Sequence, residues 1–317
     1  MKKIIIATRS SELALRQAKQ VQLALEAQSI ASELKTYKTT GDKRLGEALS
    51  EIGAKGLFTA ELEHDLAAGD VDCCVHSLKD LPTDSPEGLE IAAQLAREDP
   101  RDVLIVNGAI GASSLEDLPP GARVGTSSLR RRAQLLATRR DLDVVELRGN
   151  VPTRIRKVDE GIVDAAILAA AGLHRLDIAP RITAYLDAPA WLPAAGQGAI
   201  AIQIRSNDAE VRAIFSKLAD ADTMIATRAE RAFLGALEGG CQVPIGAVAL
   251  RSGNAGTLYG FIADVRGERS ARGEIAVDSR NPEASGVALA AELRARGATE
   301  ILASLHRAGH VPSPQPE

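Results

Sequence analysis

Ile4-Ile5-Ile6-Ala7-Thr8-Arg9-Ser10-Ser11 and Val124-Gly125-Thr126-Ser127-Ser128 follow one plan, an apolar strand that runs through Thr into Ser at the start of a helix. Behind the first copy, Leu13, Ala14, Ala18, Val21 and Leu25 recur at helical spacing with Ser11 in the capping position. Behind the second, residues 129–139 continue as a helix. Outward from these copies the pattern is regular. Strand signals fall at 34–39 and 71–76, around a helix over 57–68 that Gly69 ends. They fall again at 144–147 and 165–169, around a helix over 153–160 that Gly161 ends. Such strand–helix alternation predicts parallel sheets covered by helices on both faces. The echo between the two copies predicts two similar α/β domains facing each other.

The last third changes character. A strand at 199–204 and a helix over 209–219 precede a break near Asp220, and a helix over 223–237 leads to Gly239-Gly240-Cys241. Alternating runs at 245–250, 257–265 and 271–277, then a helix over 284–296, predict a small α+β domain with an antiparallel sheet. The proline-rich tail from Val311 is expected to fray. Residues 40–55, TGDKRLGEALSEIGAK, carry three glycines and several charges; a mobile lid and a plain surface loop both suit them.

The chain has 317 residues, is 45% hydrophobic, and carries a net charge of only −4, so no global charge points to nucleic acid or a membrane. The opening Met1-Lys2-Lys3-Ile4-Ile5-Ile6-Ala7 is too short an apolar run for a signal peptide, and no stretch is long enough to span a bilayer. The three cysteines form no disulfide framework, and adjacent Cys73 and Cys74 lack the spacing of metal ligands. A reducing, cytoplasmic setting and no metal are therefore expected.

Charge is nevertheless concentrated locally. Ten basic residues between Arg123 and Lys157 face three acidic ones, Asp141, Asp143 and Glu146. Arg139 and Arg140 read as a solvated helix face. Arg130, Arg131 and Arg132 cannot share one face, so at least one must point away. Thr126-Ser127-Ser128 offers free N–H groups and hydroxyls at a helix start, and Arg148 follows the next strand. Together they predict an anion cradle, because guanidinium forks pair bidentately with carboxylate or phosphate. Thr8-Arg9-Ser10-Ser11 is a smaller copy. With aromatic residues at 3% and none between the arginines, a nucleic-acid surface is the weaker reading.

His76-Ser77-Leu78-Lys79-Asp80-Leu81-Pro82 follows a buried strand, at the carboxyl end where open α/β sheets place ligands. Beside Lys79 and across from the arginines, Asp80 is expected to stay anionic and to stabilise a cation forming on a substrate; a surface Lys–Asp pair is the plainer alternative. Cys73 and Cys74 fall in the apolar strand as core residues. Cys241 sits on a loop after a helix C-terminus, which raises a thiol pKa, so it reads as an attachment point rather than an activated nucleophile.

Eight motifs in collinear order resemble the porphobilinogen deaminase (hydroxymethylbilane synthase) family. They are Ala7-Thr8-Arg9-Ser10-Ser11, Lys55-Gly56-Leu57-Phe58, His76 to Pro82, Arg97-Glu98-Asp99-Pro100-Arg101-Asp102, Gly125 to Arg131, Leu147-Arg148-Gly149-Asn150, Ala195-Gly196-Gln197-Gly198-Ala199, and Glu238-Gly239-Gly240-Cys241-Gln242-Val243-Pro244. The resemblance implies a transferase that joins four porphobilinogen molecules, with loss of ammonia, into linear hydroxymethylbilane on a dipyrromethane cofactor held by Cys241 through a thioether. It implies that Asp80 is the catalytic carboxylate, and that Arg9, Ser11, Lys79, Thr126, Ser127, Ser128, Arg130, Arg131, Arg148, Arg154 and Arg175 bind acetate and propionate groups. Gln197 would line the cleft, with Phe58 stacking near the pyrroles and Lys55 in the lid. The implied fold is two periplasmic-binding-protein-like (type II) domains, 1–98 with 199–216 and 104–193, enclosing a cleft. A small C-terminal α+β domain, 221–317, would carry the cysteine. A monomer is implied as well. Pro152 stands where the family varies, tolerable early in a helix, and the lid matches only near Lys55. A non-catalytic anion-binding protein with the same cleft is the main competing reading, and Asp80 with Cys241 opposes it.

Overall fold

In a computed structural model, residues 3–39, 59–237, 243–252 and 255–307 are described. The expected lid at 40–55, with Lys55, Phe58, Cys241 and the tail from Val311, lies outside them.

Two five-stranded sheets share one topology. The first has the order β2-β1-β3-β10-β4, from Ile4–Arg9 (β1), Ser32–Tyr37 (β2), Cys73–Ser77 (β3), Leu89–Gln94 (β4) and Ile200–Arg205 (β10). The second has the order β7-β6-β8-β5-β9, from Asp102–Val106 (β5), Arg123–Gly125 (β6), Asp143–Val145 (β7), Ala165–Ala169 (β8) and Ala184–Leu186 (β9). Thus β1 and β6, the strands of the two echoing motifs, hold the same place in their sheets. Each runs into a helix capped by the matching serine. Ser11 Oγ accepts from Ala14 N at the start of Glu12–Glu26 (α1), and Ser128 Oγ accepts from Arg131 N at the start of Leu129–Thr138 (α3). The two lobes are thus α/β units of one topology, as the echo between the two motifs predicts.

The sheets are mixed, which corrects the parallel sheets expected from element order. β10 pairs antiparallel with β3 and β4, and β5 pairs antiparallel with β8 and β9. In each case the reversed strand is the one that reaches its sheet directly from the other lobe. β5 follows β4 of the first sheet, and β10 follows β9 of the second. Strand order along the chain carries no trace of that exchange.

The two crossings between the lobes lie side by side. Arg97 Nε donates to the Gln197 carbonyl at 2.8 Å, and Glu98 N to the Gly198 carbonyl at 3.2 Å. Gly198 has φ +89°, and a Cβ there would stand 2.3 Å from the Glu98 carbonyl oxygen. Only glycine lets the crossings approach so closely.

Both faces of each sheet are packed. Ile4, Ile6, Val21, Leu25, Cys73 and Phe215 belong to one cluster of the first lobe; Ala7, Leu62, Leu66 and Cys74 form another. The two thiols, on opposite faces of β3, are core residues as expected. Burial drives both well above the usual range for a cysteine. Helix Val151–Asp159 (α4) tolerates Pro152 in its first turn, with Asn150 as cap.

A third unit contains the three-stranded antiparallel sheet Ile245–Ser252 (β11), Ala255–Ala263 (β12) and Ser270–Ala276 (β13). Helices Ala221–Ala236 (α7) and Pro282–Leu293 (α8) pack around Phe233, Leu258 and Leu289 in its core. No described helix is long and apolar enough to cross a membrane.

Candidate active site

Lys79 and Asp80 owe their position to Leu78. The turn Leu78–Asp80 leaves the carboxyl end of β3, and Leu78 is fully buried beneath Gly196 while its N–H donates to the Ala199 carbonyl at 3.0 Å. With that side chain pinned inward, the next two face outward: Lys79 is half-buried and Asp80 exposed. Asp80 lines a pocket with Arg9, Ser11, Gln17, His76 and Ser77. His76 is buried against Gln203, and burial pushes it down to about 4, so it stays neutral near pH 7.

The other wall is cationic. Arg154 donates through Nε to the Gly149 carbonyl at 2.7 Å. Burial and repulsion from Arg131 and Arg148 push it down to about 10, against the pull of Asp80. Burial likewise pushes Lys79 down to about 8, helped by Arg131 and opposed by Asp80 and Asp102. Asp80 therefore acts electrostatically on both Lys79 and Arg154, and so, with the opposite sign, does Arg131. Arg148 lies 3.3 Å from Glu146, a half-exposed partner. Arg175 is buried at the crossing, donating to the Gly198 carbonyl at 2.7 Å. Its Nε has no hydrogen-bond partner among the described residues.

The arginine run divides, as its spacing requires. Arg132 points to solvent and donates to the Val144 carbonyl, whereas Arg130 and Arg131 are both buried on one carboxylate, Asp102. Arg130 Nη1 lies 2.6 Å from Oδ2, and Arg131 Nη2 and Nε lie 2.7 and 3.1 Å from Oδ1. Trp191 Nε1 donates to Oδ2 at 2.8 Å and Gln197 Nε2 to Oδ1 at 2.9 Å. Burial alone would raise the Asp102 carboxyl, but the two guanidiniums override it and hold it well below the usual range. Two cations on one anion leave the cluster with one positive charge to spare.

Arg139 corrects another expectation. It is not a solvated face residue. Its guanidinium donates to the Leu115, Glu116 and Leu118 carbonyls and pairs with Asp141. Arg140 is exposed, as expected. Among the hydroxyls, Ser127 donates to the Leu147 carbonyl at 2.8 Å, while Thr126 Oγ1 accepts from Ser128 N and keeps its own proton to give.

Sequence reading missed three further supports. Glu230 of α7 is fully buried and takes a bidentate pair from Arg97, with Nη1 and Nη2 at 2.6 and 2.9 Å. It also accepts from Gly196 N at 2.7 Å and Ala249 N at 2.8 Å, so one carboxylate ties both crossings to the third unit. Its neighbour Arg231 donates to the Leu81, Pro82 and Thr83 carbonyls, holding the loop just after Asp80. Asp102 is the third. Arg97 and Asp102 lie within a quoted motif, but nothing in the spelling says that an acid there is buried between two arginines.

Residues 4–213 match the family model described as "Porphobilinogen deaminase, dipyromethane cofactor binding domain", and residues 224–295 match "Porphobilinogen deaminase, C-terminal domain". The chain is 48% identical to a porphobilinogen deaminase of Syntrophobacter fumaroxidans over 307 residues, 96% of this chain and 98% of the relative. It is 47% identical to the Geobacter metallireducens protein of that name over 308 residues, 96% of each chain. The Geobacter sulfurreducens protein is 48% identical over 309 residues, 97% of this chain and 96% of its own. Among solved structures, the VFT2 domain of Bordetella pertussis BvgS is 16% identical with a TM-score of 0.42, covering 68% of this chain and 86% of that one.

Proposed function

Since the chain belongs to the porphobilinogen deaminase family, we propose that it joins four porphobilinogen molecules, each losing ammonia, into the linear tetrapyrrole hydroxymethylbilane. The setting is tetrapyrrole (haem) biosynthesis, and the protein acts as a cytoplasmic monomer without nucleic acid or membrane partners. Dipyrromethane, tethered through a thioether to Cys241, supplies when bound the free pyrrole carbon at which the product chain begins.

The residues suit such a group. Its acetate and propionate arms are carboxylates, and the donors facing the cleft are those that recognise carboxylates: guanidiniums, one ammonium and helix-start hydroxyls. The buried Arg175 Nε, unpartnered among the described residues, and the burial and repulsion from Arg131 that depress Arg154 and Lys79, both favour incoming anions. In this reading Arg9, Ser11, Lys79, Thr126, Ser127, Ser128, Arg130, Arg131, Arg148, Arg154 and Arg175 hold the carboxylate arms. Lys55, Phe58 and Gln197 border the cleft.

Asp80 carries the chemistry. Expulsion of ammonia from porphobilinogen leaves positive charge on the pyrrole, and a carboxylate that accepts the ring N–H stabilises it as it forms. Coupling to the next ring carbon then releases a proton that the same carboxylate is placed to receive. The surrounding cations bind the arms of the substrate, not its ring, so charge of each sign meets its complement. The observation that carries this reading is the exposed Asp80 carboxylate in one pocket with Arg9, Ser11 and Ser77, near enough to Lys79 and Arg154 for its charge to act on both.

Lys79 gives the reading a pH test. Its ammonium is present below about 8 and is lost as pH rises through that value, so KM for porphobilinogen should climb several-fold above pH 8. The effect on folding has the opposite sign. The unfolded lysine binds its proton up to about pH 10.5, so this group adds stability as pH rises from 8 towards that value. A rising KM cannot then be blamed on Lys79-linked unfolding. Lys79→Arg, which keeps its charge, should flatten that rise; a KM profile identical in wild type and Lys79→Arg would remove Lys79 from carboxylate binding.

A further inference from the structure

Gln197 lies at the second crossing between the lobes, and its side chain is 1% exposed. Its neighbours Gly196 and Gly198 have φ of +73° and +89°, a backbone path that turns the amide inward between the two lobes. There it has four partners. Oε1 accepts from Lys79 Nζ at 3.1 Å. Nε2 donates to the Pro100 carbonyl at 2.7 Å and to Asp102 Oδ1 at 2.9 Å, with the Arg101 carbonyl at 3.2 Å.

The chemistry of these partners permits only one orientation of the amide. An ammonium can only donate, so it must meet the oxygen; two carbonyls and a carboxylate can only accept, so they must meet the NH2. Beyond Asp102 stand Arg130 and Arg131, each bonded to it. A continuous path therefore runs from Lys79 in the first lobe, through Gln197 at the crossing, to Asp102 and two arginines in the second. Every link is a charge-assisted hydrogen bond, part-buried at Lys79 and buried from Gln197 onward, where such bonds are strong and geometrically demanding. The first residue of the path adjoins Asp80, and Arg131 at its far end acts on Arg154 electrostatically.

We propose that Gln197 is a positioning residue: it holds Lys79 in register with Arg130 and Arg131 across the cleft, so that cations from both lobes meet one ligand's carboxylate arms together. This rests on the reading above, in which those cations bind carboxylates. The Gln197 amide is buried, with its oxygen and nitrogen engaged by protein groups. It acts through Lys79 on one side and Asp102 on the other. The amide is suited to this because it offers an acceptor to a cation and donors to an anion at once. Glutamate would set a carboxylate against Asp102 and the Pro100 carbonyl, and lysine or arginine would repel Lys79.

The variant to make is Gln197→Met, which keeps the length and volume of the side chain while removing every bond. Asp102→Asn is the less useful choice, since it strips two buried guanidiniums of their counter-charge and endangers the fold. The probe is a pyrrole carrying acetate and propionate arms but no aminomethyl group, which binds without reacting. Its Kd is measured by calorimetry on Gln197→Met, Lys79→Met, the double variant and wild type, with intact mass recording whether each carries its covalent pyrroles. We expect Gln197→Met to load normally, to weaken the probe about tenfold, and to raise KM by a similar factor with kcat within about threefold. We expect the double variant to bind no worse than Lys79→Met alone, because contacts acting as one unit are not additive. Independent, multiplying losses in the double variant would overturn the proposal while leaving Lys79 as a carboxylate ligand. An unchanged Kd in Lys79→Met would overturn both readings.

Discussion

Asp80→Ala is expected to lower turnover of porphobilinogen by at least about 10²–10³-fold, the loss typical when a preorganised electrostatic partner of a reacting charge is removed. The protein should stay folded. Asp80 is exposed, and the turn that presents it is fixed by Leu78 beneath Gly196 and by Arg231 on the following carbonyls, not by the carboxylate. Removing an exposed side chain away from such supports changes stability by about 0.5 kcal/mol or less. The measurement pairs ammonia release under single-turnover conditions with thermal melting. Asp80→Asn, which keeps shape and hydrogen-bonding capacity but not charge, separates the two functions of the group. If charge stabilisation dominates, it should be nearly as impaired as Asp80→Ala. Activity within tenfold of wild type in either variant would take Asp80 out of the reaction.

The largest structural effect is expected from Arg97→Ala. Glu230 is fully buried, and Arg97 is its only cationic partner among the described ion pairs. Deleting one partner of a buried pair strands the other charge in a medium that solvates it poorly, which typically destabilises by about 3–5 kcal/mol. For a chain of this size that corresponds to a fall in Tm of about 5–8 °C. The backbone donors Gly196 N and Ala249 N would still face Glu230, but hydrogen bonds alone do not replace a counter-charge. Activity should fall along with stability, because Arg97 also bonds the second crossing directly. The surface pair Arg228–Glu283, about half exposed on both sides, is the control. Arg228→Ala should shift stability by less than about 1 kcal/mol. Equal effects from the two substitutions would contradict the role given to Glu230.

Much of the fold could be read from local pattern. Thr8-Arg9-Ser10-Ser11 and Thr126-Ser127-Ser128 announced two related lobes because a strand running into a capped helix is a local event, settled by neighbours in the chain. The antiparallel placement of β5 and β10 was hidden because it depends on which sheet a strand reaches after crossing, and sequence periodicity is blind to that. The site divides along the same line. Asp80 and Lys79 were visible at the end of an apolar strand. Spacing already required at least one of Arg130, Arg131 and Arg132 to point away; that it is Arg132, and that the other two meet on Asp102, only the fold decides. Gln197 and Glu230 act through partners distant in sequence, so neither residue type nor spacing announced their work. Arg139 misled for the same reason. An arginine at a helix end looks solvated until the loop at Leu115–Leu118 is seen to wrap it.

The central claim, that this chain builds its product on covalently held pyrroles, is tested most directly by the intact mass of the purified, denatured protein. Wild-type protein should exceed the mass of its amino-acid sequence by two pyrrole units. Cys241→Ala should have the bare mass while Cys73→Ala, whose thiol is sealed in the core of the first lobe, keeps the excess. Active wild-type protein of unmodified mass, or an excess that survives in Cys241→Ala, would contradict it.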